Sequence, residues 1–247
     1  MAFNITYAGS AISGVEMWSE DIPSRVSPEV FPRRHGSILQ EVVFLGPRTV
    51  RVGGTITGSN ETALVDYLNG IGRRTTEAGR AQLVLRDDNR FLRALKAGYS
   101  YSFQNHMAPD VLCKFTLDFV ADDPFWYAAT EAVSSVSIAA STTTFSVVNT
   151  GTAKTPPRIE FQAVANSRQH VKLTNTTIGL FIESSSTIAS GTILTTNHDA
   201  YTVTLGTSNA IGDFSGSFFL LEPGNNNFEY TGPTSISARI YWTPRYV

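Results

Sequence analysis

Apolar and polar residues alternate with a period of two over most of this chain, and one stretch alone departs to a helical period. In Thr49–Thr57 the residues Val50, Val52, Gly54 and Ile56 share one face, and Thr49, Arg51, Gly53 and Thr55 share the other. Gly53-Gly54, without a Cβ, marks a bulge or a close approach by another segment. Val42–Leu45 is a shorter strand ahead of it. Leu64, Val65, Tyr67, Leu68 and Ile71 then recur at helical spacing, with Ser59 or Asn60 placed to cap the start. Gly70 and Gly72 are expected to limit this helix, leaving Arg73-Arg74 at or beyond its negative end. A single short helix with one apolar stripe normally covers a sheet.

Two hairpins follow. Ala81–Arg86 and Phe91–Leu95 flank Asp87-Asp88-Asn89-Arg90, and Tyr99–Met107 and Val111–Val120 flank Ala108-Pro109-Asp110. Beyond residue 127 every periodic segment reads as strand. These segments are Phe145–Val148, Arg158–Ala163, His170–Leu173, Ile178–Ile182, Tyr201–Leu205, Ser217–Leu221, Asn227–Tyr230 and Thr234–Trp242. The last puts Ile236, Ala238, Ile240 and Trp242 on one side. Asn149-Thr150-Gly151 and Glu222-Pro223-Gly224-Asn225-Asn226 are turns. Many short strands with such turns describe sheets that bury their apolar faces against each other. No unit repeats at a fixed period, which argues against a propeller or solenoid.

The expected fold is mainly β: an N-terminal β-sandwich or split barrel with one short helix over residues 1–127, then a C-terminal β-sandwich over 128–247. The boundary rests on a composition change after Asp122-Asp123-Pro124-Phe125-Trp126-Tyr127. Through Phe125 there are 14 acidic and 13 basic residues, leaving 7 and 6 for a remainder rich in Ser, Thr, Asn and Gly. Ala128–Thr144 reads as a linker or lead-in strand. The length of 247 residues suits two domains.

Charge narrows the function classes. A net charge of −2, with Arg33-Arg34 and Arg73-Arg74 as the longest basic clusters, is not that of a duplex-binding protein. One cysteine, Cys113, excludes an intrachain disulfide, and its phase with Val111, Phe115, Leu117 and Phe119 makes it a small buried hydrophobe. The N-terminal residues lack the pattern of a secretory signal, and no apolar run reaches the length of a membrane span. Synthesis in a cytoplasm and no membrane insertion are expected.

Catalytic chemistry is hard to assemble from these residues, and no enzyme activity, cofactor or metal is expected. His35, His106, His170 and His198 are far apart without a zinc-binding spacing. His198-Asp199 lies among small polar residues and reads as a surface turn. Gly212-Asp213-Phe214-Ser215-Gly216 has glycines at the wrong spacing for a nucleophile elbow and reads as a turn. Gly70-Ile71-Gly72-Arg73 lacks the context of a phosphate loop. Asp118, Asp122 and Asp123 could pair as glycosidase carboxylates, but Asp118 has the polar phase of its strand and Asp122-Asp123 runs into Pro124, so turn or capping roles are expected.

Phe125, Trp126 and Tyr127 cannot all face one way in a strand. They suit an interdomain or intersubunit seam, with a glycan-stacking platform as the competing use.

The order of these features resembles the distal tail protein family of siphophages. The resembling residues are Arg34-His35-Gly36-Ser37-Ile38-Leu39, Arg48–Ile56, the helix around Leu64–Ile71 and Phe119–Tyr127. In the second half they are Ile178, the segment from Phe219 through Leu221-Glu222-Pro223-Gly224-Asn225-Asn226, and Ile236–Trp242. The resemblance implies a structural virion protein of the phage tail, made in the host cytoplasm. It would form a ring, usually a hexamer, between tail tube and tail tip or baseplate. The N-terminal domain would form the ring and the C-terminal sandwich would lie at its periphery. Its partners would be other copies of itself, the tail tube protein and a tail-tip or hub protein, with DNA passing through a channel without sequence-specific binding. Arg73 and Arg74 are candidate ring contacts, within a set comprising Arg48, Arg51, Arg80, Arg86, Arg90, Arg93 and the ten acidic residues through Asp88. A carbohydrate-binding module or lectin, or a tail tube subunit, is the alternative.

Overall fold

The chain divides into two units, Met1–Trp126 and Tyr127–Val247. The structure, a computed structural model, describes residues 5–22, 24–25, 28–30, 37–39, 44–85, 89–105 and 111–247. The expected features at 33–36, 42–43, 86–88 and 106–110, with His35 and His106, lie outside the described residues.

The first unit opens with β1 (Ile5–Tyr7), β2 (Ser10–Ile12) and β3 (Val15–Asp21). Four short strands follow, β4 (Ser24–Arg25), β5 (Pro28–Val30), β6 (Ser37–Leu39) and β7 (Phe44–Leu45), with β4 paired to β7 and β5 to β6. Then come β8 (Arg48–Gly58), α1 (Glu61–Glu77), β9 (Ala81–Val84), β10 (Arg90–Asn105) and β11 (Val111–Ala121). Seven strands hydrogen-bond in the order β2-β1-β9-β10-β11-β8-β3, all antiparallel. Alternation dictates the core. Val50 and Val52 of β8 and Cys113, Phe115, Leu117 and Phe119 of β11 point inward and are buried. Burial pushes the Cys113 thiol up from its ordinary pKa, as suits a packing residue.

The Gly53-Gly54 pair works by close approach. A Cβ on Gly54 would lie 2.8 Å from Val15 Cα and press on the Gly14 carbonyl, which accepts the Thr55 N–H at 2.9 Å. The irregularity sits in the partner strand instead, where the register slips between Val15 and Met17.

Helix α1 starts as expected, with the Asn60 side chain accepting the Ala63 N–H at 2.8 Å. Leu64, Leu68 and Ile71 cover the sheet, and Thr75 is buried with them. Contrary to expectation, the helix passes through Gly70 and Gly72 and places Arg73 and Arg74 inside its final turns. Gly72 is there for space. A Cβ would stand 3.2 Å from the Tyr99 ring, whose hydroxyl donates to the Leu68 carbonyl at 3.0 Å. Gly79, at φ +59, ends the helix.

Strand β10 is also longer than expected. The predicted break at Lys96-Ala97-Gly98 is a register shift within one continuous strand, which pairs with β9 through Leu92–Ala94 and with β11 from Leu95 onward.

After β12 (Trp126–Ala128), the second unit contains β13 (Ala132–Ile138), β14 (Thr142–Asn149), β15 (Arg158–Ala163), β16 (Val171–Asn175), β17 (Leu180–Ser184), β18 (Ile193–Asn197), β19 (Thr202–Leu205), β20 (Ser208–Asn209), β21 (Phe214–Gly216), β22 (Gly224–Thr231), β23 (Ile236–Trp242) and β24 (Arg245–Tyr246). One sheet runs β13-β23-β15-β18-β19-β20 and the other β14-β22-β16-β17-β21. Ile236, Ala238, Ile240 and Trp242 face inward as expected. They share one core with Phe161 and Leu194 of their own sheet and with Leu173, Ile182, Phe228 and Tyr230 of the other. This is a β-sandwich.

Of the two readings of Ala128–Thr144, linker or lead-in strand, the strand holds, since the segment contains β13 and the start of β14. Other segments depart from expectation. Ile193–Asn197 is an unforeseen strand. The segment Gly212–Gly216 contains a short 3-10 turn and β21. Ser217–Leu221 is not a strand; it buries Phe219 and Leu221 from an irregular backbone. Asn225 and Asn226 belong to β22. The buried Asn226 side chain accepts the Glu222 N–H at 2.9 Å and donates to the Glu222 carbonyl at 2.8 Å, closing the Pro-Gly loop.

Candidate assembly residues

The residues that the sequence singled out for assembly have different environments. Arg73 and Arg74 are exposed on the last turns of α1. Arg73 lies 3.9 Å from Glu77, an i,i+4 pair, and Arg74 Nε donates to the Gly70 carbonyl at 3.2 Å. Both guanidinium groups remain accessible to a partner.

Other arginines of the expected set are already engaged within the unit. Arg51 and Asp118 stand directly opposite on β8 and β11 and form a two-pronged pair at 2.7 and 3.2 Å. That hydrogen-bonded partner raises the Arg51 pKa. Arg80 meets Asp122 at 2.7 Å. Asp123 accepts the Phe125 N–H at 3.2 Å, a turn arrangement. Asp118, Asp122 and Asp123 therefore have structural partners.

Arg48 departs furthest from expectation. It is only 2% exposed and cannot act as a surface contact. Its Nε donates to the Pro124 carbonyl at 2.6 Å, its Nη1 bonds Glu20, and its guanidinium lies 5.5 Å from the centre of the Trp126 ring. Trp126 Nε1 donates to the same Glu20 carboxylate at 3.2 Å. Arg48 Nη2 has no hydrogen-bond partner among the described residues. One buried cation thus ties the start of β8, the end of β3 and the Pro124–Trp126 segment together. A sequence signal existed: Arg48 shares the inward phase of Val50 and Val52, and beginning the strand at Thr49 concealed it.

Trp126 is half-buried by this cluster. Tyr127 is 5% exposed, with the Arg245 guanidinium 5.2 Å from its ring centre.

His198 is a second residue misread from sequence. It is 2% exposed, and its Nδ1 stands 2.9 Å from the Phe219 N–H nitrogen and 3.0 Å from the Phe219 carbonyl oxygen, accepting from the first or donating to the second according to which ring nitrogen carries the proton. Nε2 has no partner among the described residues. Burial holds its pKa down at about 4. Asp199 points elsewhere, to Arg245 at 3.2 Å, so the His-Asp neighbours are not a catalytic pair. Among the described residues no group of three or more His, Cys, Asp or Glu is placed to hold a metal ion, and no helix is long and apolar enough to cross a membrane.

Comparison with known proteins gives this architecture its context. The family described as Siphovirus-type tail component, C-terminal domain, matches residues 150–246. The matched residues all lie within the second unit. The match takes in β15 to β24, including the Pro-Gly loop and the alternating strand β23 that carried the resemblance in sequence. No curated protein matches the chain. Among solved structures, the Dit protein of phage SPP1, described as a paradigm of the hub adsorption apparatus in phages infecting Gram-positive bacteria, superposes with a TM-score of 0.72 at 16% identity, covering 99% of both chains. A chain of the phage P2 baseplate in its activated conformation with Ca gives a TM-score of 0.42 at 7% identity over 97% of both chains. The resemblance to distal tail proteins is borne out, by the likeness in fold along the whole chain and by the tail-component match over residues 150–246.

Proposed function

We propose that this tail component forms a ring, six-fold in symmetry, at the distal end of a siphophage tail. The ring joins the tail tube to the tail tip or hub and leaves a channel through which DNA passes without sequence-specific binding. The observation that carries this reading is the end-to-end likeness in fold to the SPP1 Dit protein, a hub component, together with the tail-component match over residues 150–246. In this reading the first unit makes the ring contacts, and the second lies at the periphery. A net charge of −2 gives no bulk attraction that would hold DNA in transit.

Ring contacts in a closed assembly join different surfaces of neighbouring copies. Arg73 and Arg74 suit such a contact because they are exposed, adjacent and on a rigid helix. Phe125 and Trp126, both part-exposed, belong to the same proposal as a seam between subunits, whereas Tyr127 is too buried to contribute.

Native mass spectrometry of the full chain tests the ring, with six-fold species expected. A monomer at all concentrations, or open-ended tubes, would refute it. Charge reversal (Arg73→Glu with Arg74→Glu) should shift the assembly toward smaller species, most at low salt, where the new repulsion is least screened. An unchanged ring would remove this pair from the interface.

A further inference from the structure

Among the described residues, strands β13 and β14 each end a sheet of the sandwich, β13 pairing only with β23 and β14 only with β22. They have seven and eight residues, whereas the strands ending the same sheets on the far side, β20 and β21, have two and three. Unpaired N–H and C=O groups on an edge template further pairing, so edges are normally kept short, bulged, or guarded by charge or proline. The far edges obey that rule by being short. The near edges do not: there is neither a charge nor a proline from Ala132 to Asn149, and both registers run without a bulge.

The open groups of β14 can be assigned. Gly232 N–H donates to the Ser141 carbonyl at 2.9 Å, in the register that pairs Thr142 with Thr231. Residues of an antiparallel strand alternate between bonding their neighbour and facing away from it. Residues 143, 145, 147 and 149 therefore bond β22, and the backbone groups of Thr142, Thr144, Ser146 and Val148 point outward.

We infer that β14 is a docking edge that accepts an added strand from a different tail protein, an extended and uncharged segment of up to eight residues. The inference rests on the tail-component reading above. An edge without charge offers no counter-charge, so a charged occupant would be desolvated for nothing. A second copy of this chain is the poorer occupant. Head-to-tail pairing around a ring would join β14 to β21, which at three residues cannot match its length. The added strand supplies main-chain bonds, and its alternate side chains read the Thr and Val side chains of the edge.

Hydrogen exchange on the full chain, free and in purified tails, tests this directly. The amides of Thr144 and Ser146 should exchange at least tenfold more slowly in the tail. Equal rates would overturn the inference while leaving the tail assignment intact, whereas absence of the chain from tails would overturn the tail reading itself. The variant Ser146→Pro removes one outward N–H without touching the β22 ladder. It should leave the melting temperature of the free chain within about 3 °C, while tails built with it lose the protection at Thr144. Ser146→Ala should retain that protection. If Ser146→Pro instead halves the mass of the free assembly, the occupant is a second copy and the inference fails.

Discussion

His198 makes the stability of this protein depend on pH in a direction that follows from its surroundings. The folded chain holds the ring neutral, with a pKa near 4 against 6.5 for an unrestrained histidine. Unfolding releases that restraint, so below pH 6.5 the unfolded chain binds a proton that the folded chain refuses. The residue therefore costs nothing above pH 6.5, and the folded state loses stability as pH falls from there toward 4. By pH 4.5 the loss is on the order of 2–3 kcal/mol. For a chain of this size that corresponds to a fall in Tm on the order of 10 °C. Carboxylates also titrate near this range, so the measurement compares wild type with His198→Asn. The asparagine oxygen can still accept the Phe219 N–H but does not titrate. Thermal unfolding by circular dichroism between pH 7.5 and 4.5 should show the variant less stable at neutral pH, because the ring leaves a cavity. The gap should close, or reverse, toward pH 4.5. A gap that stays constant across the range would refute the buried neutral histidine.

Three other perturbations separate packing from propensity. Arg48→Met should destabilise the protein by roughly 3–5 kcal/mol, since it leaves Glu20 and the Pro124 carbonyl without their cation; urea unfolding with a loss below about 1 kcal/mol would show that the cluster matters little. Gly70→Ala should stabilise by up to about 1 kcal/mol, because nothing stands within 4 Å of the added methyl and the helix gains propensity. Gly54→Ala should instead cost roughly 1–3 kcal/mol by forcing β8 away from the Gly14 turn; equal melting temperatures for the two variants would contradict both assignments.

The helix and strand β23 were legible because each repeats its period over several turns or residues. Every departure from that period put an apolar group on the wrong face. The cap at Asn60 and the Asn149-Thr150-Gly151 turn were legible for a related reason: their chemistry is local, as when the Asn149 side chain accepts the Gly151 N–H at 3.0 Å. Of the candidate site, the aromatic run and the exposed arginine pair could be named from sequence.

What sequence reasoning missed depends on neighbours far along the chain. Gly70 and Gly72 look alike in sequence, yet nothing stands within 4 Å of a Cβ at Gly70, while Gly72 makes room for Tyr99. Ser217–Leu221 has strand-like residues, but β21 takes the ladder beside β17, and Phe219 N–H is claimed by His198 across 21 positions. His198 looked like a surface residue because its flanking residues are small and polar; burial came from Phe219, which no local pattern announces. Arg48 likewise became buried against a part-buried Glu20 only when β3 and β8 met. By itself the sequence determined periodicity, local turns and the all-β character, since these follow from each residue and its near neighbours. Only the tertiary structure decided which polar groups are buried and which strand edges are open, because desolvation and pairing are properties of the neighbours that folding supplies.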